Sequence, residues 1–320
     1  MRRNLCHHFR ISVLLLLCLL LPAGSMAQQS TTVKIGYMPI GDCLQLYVAE
    51  ELGFFKDEGL TIETTAMKGG AVIAPAVEAG EVQIGWSNAI SIIIAHVKGF
   101  DFVFLTSGAM EKEPDHRVHS LLVGKDSSIK EVTDLVGKKV AINTLGNVNE
   151  LSMMALADSA KIDIKQIQLV EIPFPQMEAA LQNGSVDAIL AIEPFVTLSL
   201  SHGTARVLVK SIHQSFGEQF MIGSWFAKKS WIEKEPAVAA AFVKAINRAS
   251  DYIAQNPGKI PEILVKYAKL PADLADKITL PYFASQFHVA DLQRMIDITA
   301  KYKLIAAPYP ATEIISRFLQ

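Results

Sequence analysis

Polar residues suited to holding a small molecule recur in this chain where a strand pattern gives way to a helix pattern. Asp42 precedes the helical stretch 44–51, Ser87 and Asn88 open another after Trp86, and Gly146 and Asn147 precede the helical stretch 148–160. Gly69 and Gly70 mark a fourth turn, where backbone without a side chain can approach a ligand closely. The first N–H groups of a helix lack partners within it, and with the helix dipole they favour an anion or a polar oxygen. A purely structural role fits the same residues. Asp42 has Gln45 three positions on and Asn147 has Glu150, the spacing of a capping box, so both side chains can be engaged by their own helices. A carboxylate at Asp42 would repel an anion placed on that helix, which favours Ser87, Asn88, Gly146 and Asn147 as donors. Lys68, beside the glycine pair, is the only cation in these loops and can pair with a carboxylate or sulfonate or stay solvated.

Glu193 follows the apolar strand pattern 188–192 and precedes Pro194, so it should stand at a strand's carboxyl end. There it could accept a hydrogen bond from a ligand N–H or hydroxyl, or serve a salt bridge at a helix end. Tyr37, Trp86, Phe174, Phe195 and Trp225 all fall at strand ends or at an expected lobe crossing, where a flat ligand could stack or a small one be walled in. His116 and His119 lie three apart beside Asp115, but in a charged loop with no cysteine, which makes a poor metal site. Cys43 sits at a helix start, a position that lowers a thiol pKa, yet no histidine stands near it in sequence and a packed thiol is the default. No nucleophile-elbow, phosphate-loop or dinucleotide fingerprint occurs in a suitable context, so no cofactor is expected.

The elements that would position these residues occur twice. Val33-Lys34-Ile35-Gly36 leads through Asp42 into a helix pattern, and Lys139-Val140-Ala141-Ile142 leads through Gly146 and Asn147 into another. The stretch 77–84, with Gly80 between helix and strand, is echoed by 181–189, with Gly184. Strands and helices alternate through residues 33–106 and again through 140–209, the pattern of mostly parallel sheets covered on both faces. Residues 110–119 read as a charged loop and 120–125 as a strand. From Pro236 onward only helical stretches are expected, beginning with the amphipathic 237–255. The fold class is therefore α/β: two lobes joined by a two-segment hinge, with a helical C-terminus. Crossings near 120–125 and 220–227 would give lobe 1 residues 28–122 and 223–320, and lobe 2 residues 123–222. Such a hinge permits closure around a ligand at the carboxyl ends of the strands.

Residues 1–27 read as an export signal: Arg2, Arg3 and Arg10, an apolar stretch 11–21, and the small-x-small site Ser25-Met26-Ala27, with cleavage near Ala27. Its loss would take the formal net charge of −2 three units further negative, and a mildly acidic chain without basic runs argues against nucleic acid as a partner. Cys6 and Cys18 would leave with the signal, so Cys43 alone remains and the mature chain must be held by its cores; half of all residues are apolar. The location expected is the periplasm, and the state a monomer.

The stretch Ile35-Gly36-Tyr37-Met38-Pro39 and the run Leu46-Tyr47-Val48-Ala49-Glu50-Glu51-Leu52-Gly53-Phe54-Phe55-Lys56-Asp57-Glu58-Gly59-Leu60 resemble the opening of the nitrate/sulfonate/taurine-type (SsuA/THI5-like, NMT1) periplasmic solute-binding proteins. Residues 79–85, 134–141, 186–188 and Glu193-Pro194-Phe195 are similar to further signatures of that family, and the resemblance spans essentially the whole mature chain. It implies a type II periplasmic binding protein fold that gives a small solute to the permease and ATPase of an ABC importer. The ligand class it implies is a small organic anion of sulfonate, taurine or nitrate type, or an aromatic acid. Aminopyrimidine precursors of thiamine are the alternative. A sensor subunit would look the same in sequence. Relatives that synthesise a thiamine pyrimidine carry a cysteine-rich motif, which Cys43 alone does not match, so a binding protein and not an enzyme is expected.

Overall fold

Buried Val33 and Ile35 alternate with exposed Thr32 and Lys34 in the opening strand, Thr31–Tyr37 (β1). The computed structural model describes residues 30–112, 115–212, 216–284 and 287–319, and the segment read as an export signal lies outside them. The strands after β1 are β2 (Leu60–Ala66), β3 (Ile84–Asn88), β4 (Phe102–Phe104), β5 (Ala109–Lys112), β6 (His119–Gly124), β7 (Lys139–Ile142), β8 (Gln168–Glu171), β9 (Ala188–Ile192), β10 (Ala205–Lys210), β11 (Gln219–Lys228) and β12 (Tyr282–Phe283).

The duplication is plain in the pairing. In the first sheet, ordered β12-β5-β11-β3-β1-β2 with β4 beside β11, strand β1 lies parallel to β2 and β3, and β11 runs antiparallel beside β3. In the second, ordered β10-β6-β9-β7-β8, strand β7 lies parallel to β8 and β9, and β6 runs antiparallel beside β9. Each repeat has the same helices between its strands: Leu44–Glu51 and Gly70–Ala79 in one, Val148–Ser159 and Phe174–Gln182 in the other. The expected glycine stops hold. Gly80 and Gly184 take φ of 77° and 72°, a conformation that a side chain disfavours, and the next residue donates back into the helix (Glu81 N to Ala76 O, 2.9 Å; Ser185 N to Ala180 O, 3.0 Å).

The chain leaves the first sheet between Lys112 and His119 and returns between Lys210 and Gln219. Both changes come earlier than 122 and 223. The stretches expected to carry the crossings are whole strands of one sheet each, β6 in the second and most of β11 in the first. Residues 110–112, read as loop from their charges, complete β5, because pairing with β11 and β12 overrides the local polarity and Glu111 is buried. The two-residue β12 is likewise a strand in the tail expected to be helical, and the last stretch, 312–319, forms two 3-10 turns, Ala311–Ile314 and Arg317–Leu319.

The helix Pro236–Gln255 packs its apolar face on Leu44–Glu51, and Phe242 sits between the rings of Phe55 and Trp225, each 5.8 Å away. A separate core under the second sheet is built from Leu121, Val140, Ile142, Met153 and Leu190. Burying each such side chain contributes about 1.5–3 kcal/mol, so each sheet carries its own hydrophobic support. That leaves the strand ends between the sheets available for polar residues.

Candidate functional site

The carboxyl ends of the parallel strands of both sheets converge. Met38, Ile40 and Asp42 follow β1, Trp86 and Asn88 end β3, Asn143, Asn147, Val148 and Asn149 follow β7, Phe174 follows β8, and Ile192 ends β9. With His119 at the start of β6 and Ile222 on β11, they enclose a cavity of about 20 Å³, room for roughly one water-sized group. It adjoins an outer hollow of about 280 Å³ lined by Met67, Lys68, Pro173, Gln176 and Phe195, with Met38, Ile40 and Phe174 common to both.

The two repeats touch across this gap. Val148 N, the first N–H of its helix, donates to Asn88 Oδ1 (3.2 Å), Ser91 Oγ donates to Gly146 O (3.1 Å), and Gly41 N donates to Glu193 O (3.4 Å). Asn88 also caps its own helix, Ala89–Val97, through Ser91 N (3.0 Å). Asn147 caps Val148–Ser159 by accepting from Asn149 N (3.0 Å) and Glu150 N (3.1 Å). Glu150 reaches back one residue further than a capping box requires, to Gly146 N (2.6 Å).

Several buried polar atoms at this meeting point have no hydrogen-bond partner among the described residues: both carboxylate oxygens of Asp42, the indole N–H of Trp86, Asn149 Oδ1 and, beside the start of Gly70–Ala79, Ser87 Oγ. Asp42 is 1% exposed, and burial pushes its carboxyl up to about 7, with His119 opposing the rise and Glu111 adding to it. Asn149 is oriented by Asn143, whose Oδ1 accepts from Asn149 Nδ2 (2.9 Å) and Asn147 Nδ2 (2.7 Å); this leaves the Asn149 oxygen free. His119 is held by Glu111, whose Oε1 accepts from His119 Nδ1 (2.9 Å) and from the backbone N–H of Val118 and His119. Larger hollows elsewhere, such as one of about 340 Å³ lined by Val103, Ile232 and Arg317, contain none of these unpartnered atoms, so chemistry and not volume selects the cleft.

Residues 41–260, more than half of the chain, match the NMT1/THI5-like family. The chain belongs to that family. It is 28% identical to the taurine-binding periplasmic protein of Escherichia coli (strain K12) over 248 residues, covering 76% of this chain and 73% of that one. It is 24% identical over 245 residues to the 4-amino-5-hydroxymethyl-2-methylpyrimidine phosphate synthase of Legionella pneumophila, covering 75% of each. The fold is that of the alkanesulfonate-binding protein of Xanthomonas axonopodis pv. citri bound to MOPS, with a TM-score of 0.76 at 16% identity over 90% of this chain and 99% of that one. The NMT1/THI5-like chain thus has the periplasmic binding protein architecture implied by its sequence resemblance.

Within this NMT1/THI5-like fold, five of the candidate residues line the inner cavity: Asp42, Trp86, Asn88, Asn147 and Phe174. Lys68 is exposed at the outer hollow, where Phe174 and Phe195 stack on each other at 6.1 Å. Gly69 lies against Met38 and Asn143 of the cavity wall. Gly146 serves the contact between repeats. Three others are directed elsewhere. Tyr37 meets Tyr47 edge-on, which in turn stacks on Tyr267. Trp225, the register partner of Trp86, gives its N–H to Gln45 (3.1 Å) in the core. Glu193 accepts from Thr197 N (3.1 Å), Thr197 Oγ1 (2.9 Å) and Thr279 N (3.4 Å), so it ties down a helix start and the C-terminal segment; burial raises its carboxyl, and these donors oppose the rise.

The capping box read at Asp42 does not form. A 3-10 turn, Gly41–Cys43, intervenes, the cap position of Leu44–Glu51 falls on Cys43, and Gln45 bonds Ser250 and Trp225 instead. Cys43 is fully buried and burial pushes its thiol well up. His116 turns to Leu280 O (2.9 Å) and His119 to Glu111, so the pair diverges. Asn143, Asn149 and His119 are the polar cavity residues that the sequence reading did not assign to a binding site. The repeat itself carried a signal for the first, since Asn143 follows β7 as Met38 follows β1.

Proposed function

We propose that this protein is an exported receptor that traps a small solute between its two sheets and passes it to the permease and ATPase of an ABC importer. The observation that carries the reading is the convergence of unpartnered buried polar groups, Asp42, Trp86 and Asn149, on one cavity where the two repeats meet. Buried polar groups are rarely left unsatisfied, and a bound solute would satisfy these. The family match, and the similarity to the taurine-binding relative, support solute capture. The solute is taken to be a small organic acid of sulfonate or carboxylate type, with aminopyrimidines as the second reading, favoured by the stacked Phe174 and Phe195 at the outer hollow. Capture proceeds without bond-making. The protein acts as a monomer in the periplasm after cleavage near Ala27, its hinge formed by the two segments that join the sheets.

A thermal-shift panel of sulfonates, carboxylates, aminosulfonates and aminopyrimidines tests the reading. A true ligand at a hundredfold excess over Kd should add about 2.7 kcal/mol of stability. A well-folded sample that no compound stabilises counts against a receptor. Conversion of a pyrimidine precursor by the purified protein, detected by mass spectrometry, would make it an enzyme.

A further inference from the structure

We infer that the solute presents an N–H-bearing head, a protonated amine or a ring amino group, to Asp42 and Asn149 in the inner cavity. This inference rests on the receptor reading and narrows it. The unpartnered atoms can be counted by kind. With Asp42 ionised, Asp42 Oδ1, Asp42 Oδ2 and Asn149 Oδ1 are three acceptors, whereas Trp86 Nε1 is a donor, with Ser87 Oγ able to act as either. A plain oxyanion such as nitrate or an alkylsulfonate brings acceptors only. It would satisfy Trp86 and leave the three acceptors unmatched, with its own charge set beside a buried carboxylate. An ammonium or amino group reverses that balance, because its hydrogens are directed at Asp42 and Asn149 while a neighbouring oxygen or ring nitrogen of the same solute accepts from Trp86.

The shape agrees. The inner cavity admits a group about the size of one water, and the outer hollow begins where Met38, Ile40 and Phe174 are shared. A small polar head therefore goes inward, and the solute's body lies along Phe174 and Phe195. An acidic tail would meet Lys68, which lines the outer hollow and not the inner cavity. The ionisable groups acting on Asp42 are His119 of β6, Glu111 of β5, and Cys43 and Tyr47 of its own segment; among these only His119 can supply a positive charge.

Isothermal titration calorimetry with matched pairs tests this: taurine against ethanesulfonate, and 4-amino-2-methylpyrimidine against 2-methylpyrimidine. The amine-bearing member of at least one pair should bind at least tenfold more tightly, and the pair that responds tells an aliphatic ammonium from a ring amino group. For an ammonium the preference should grow as pH rises through about 7, where the free Asp42 carboxyl ionises. In Asp42→Asn the preference should shrink to within threefold. Equal or tighter binding of the amine-free members, or a preference untouched by Asp42→Asn, overturns the inference while leaving the receptor intact. Should Asp42→Asn fail to fold, the pairs on the unsubstituted protein decide alone. No binding by any member, together with no carried-over solute in native mass spectra of unrefolded protein, overturns the receptor reading itself.

Discussion

Asp42 reads as a helix cap in the sequence and stands in the fold as a buried carboxyl without a partner. Its spacing to Gln45 suits a capping box, but the chain spends one 3-10 turn before the helix starts, and the carboxylate is left buried without a partner. Nothing in a linear sequence marks that turn, because Gln45 is drawn away by Trp225 and Ser250, some 200 positions distant. The raised carboxyl has a consequence for stability. An acid whose folded pKa of about 7 exceeds its unfolded value of about 3.9 stabilises the fold below pH 4, and that contribution is lost as pH rises through 7. Ligand-free Asp42→Asn should therefore lose less stability between pH 5 and pH 8 than the parent, by an amount on the order of a few kcal/mol, measured by denaturant melts at both pH values. Trp86→Phe keeps an aromatic ring, removes the unpartnered N–H and leaves a small cavity where the indole was buried. It is expected to weaken solute binding about tenfold by calorimetry, since one hydrogen bond to a charged or strongly polar group contributes about 1.5 kcal/mol, and to lower melting by the cost of that cavity.

Strand ends and helix starts were the most legible level of the chain. The repeated strand-turn-helix units, the glycine stops at Gly80 and Gly184, and the helix caps of Asn88 and Asn147 all follow from local chemistry that a sequence displays. Crossing points were less legible, because β5 carries charge and β11 is mostly apolar, and only pairing partners distant in sequence decide which sheet each joins. Gly70 illustrates a constraint set between elements. A Cβ there would stand 2.3 Å from Ser87 Oγ of β3 and 3.4 Å from Ser87 Cβ, too close without movement. Gly70→Ala should push the start of that helix away from Ser87 and lower stability by about 1–3 kcal/mol, read from chemical melts. Glu193→Ala removes the acceptor that joins β9, the helix Phe195–Ser201 and Thr279. It should cost about 1–3 kcal/mol of stability while changing solute affinity less than Asp42→Asn does, a comparison made by melting and calorimetry on the same samples.

The two sheets together line a cavity that neither lines alone: Asp42 and Trp86 belong to one repeat, Asn143 and Asn149 to the other, and His119 begins the strand reached by the first crossing. Duplication made that geometry foreseeable, since two similar units joined twice must set like strand ends face to face, whereas the partnering of Asn143 with Asn149 depends on a loop conformation that spacing does not determine. Contacts such as Val148 N to Asn88 Oδ1 hold the repeats together at a short reach, and on the proposed receptor reading they would part to admit a solute. The most direct measurement is a crystal structure of the natively purified protein with its solute or with the tightest compound of the panel. Ligand density bounded by Asp42 and Trp86 on one side and Asn149 on the other is the result expected. Density confined to the outer hollow or to one sheet, with Asp42 and Asn149 still lacking partners, would contradict the account.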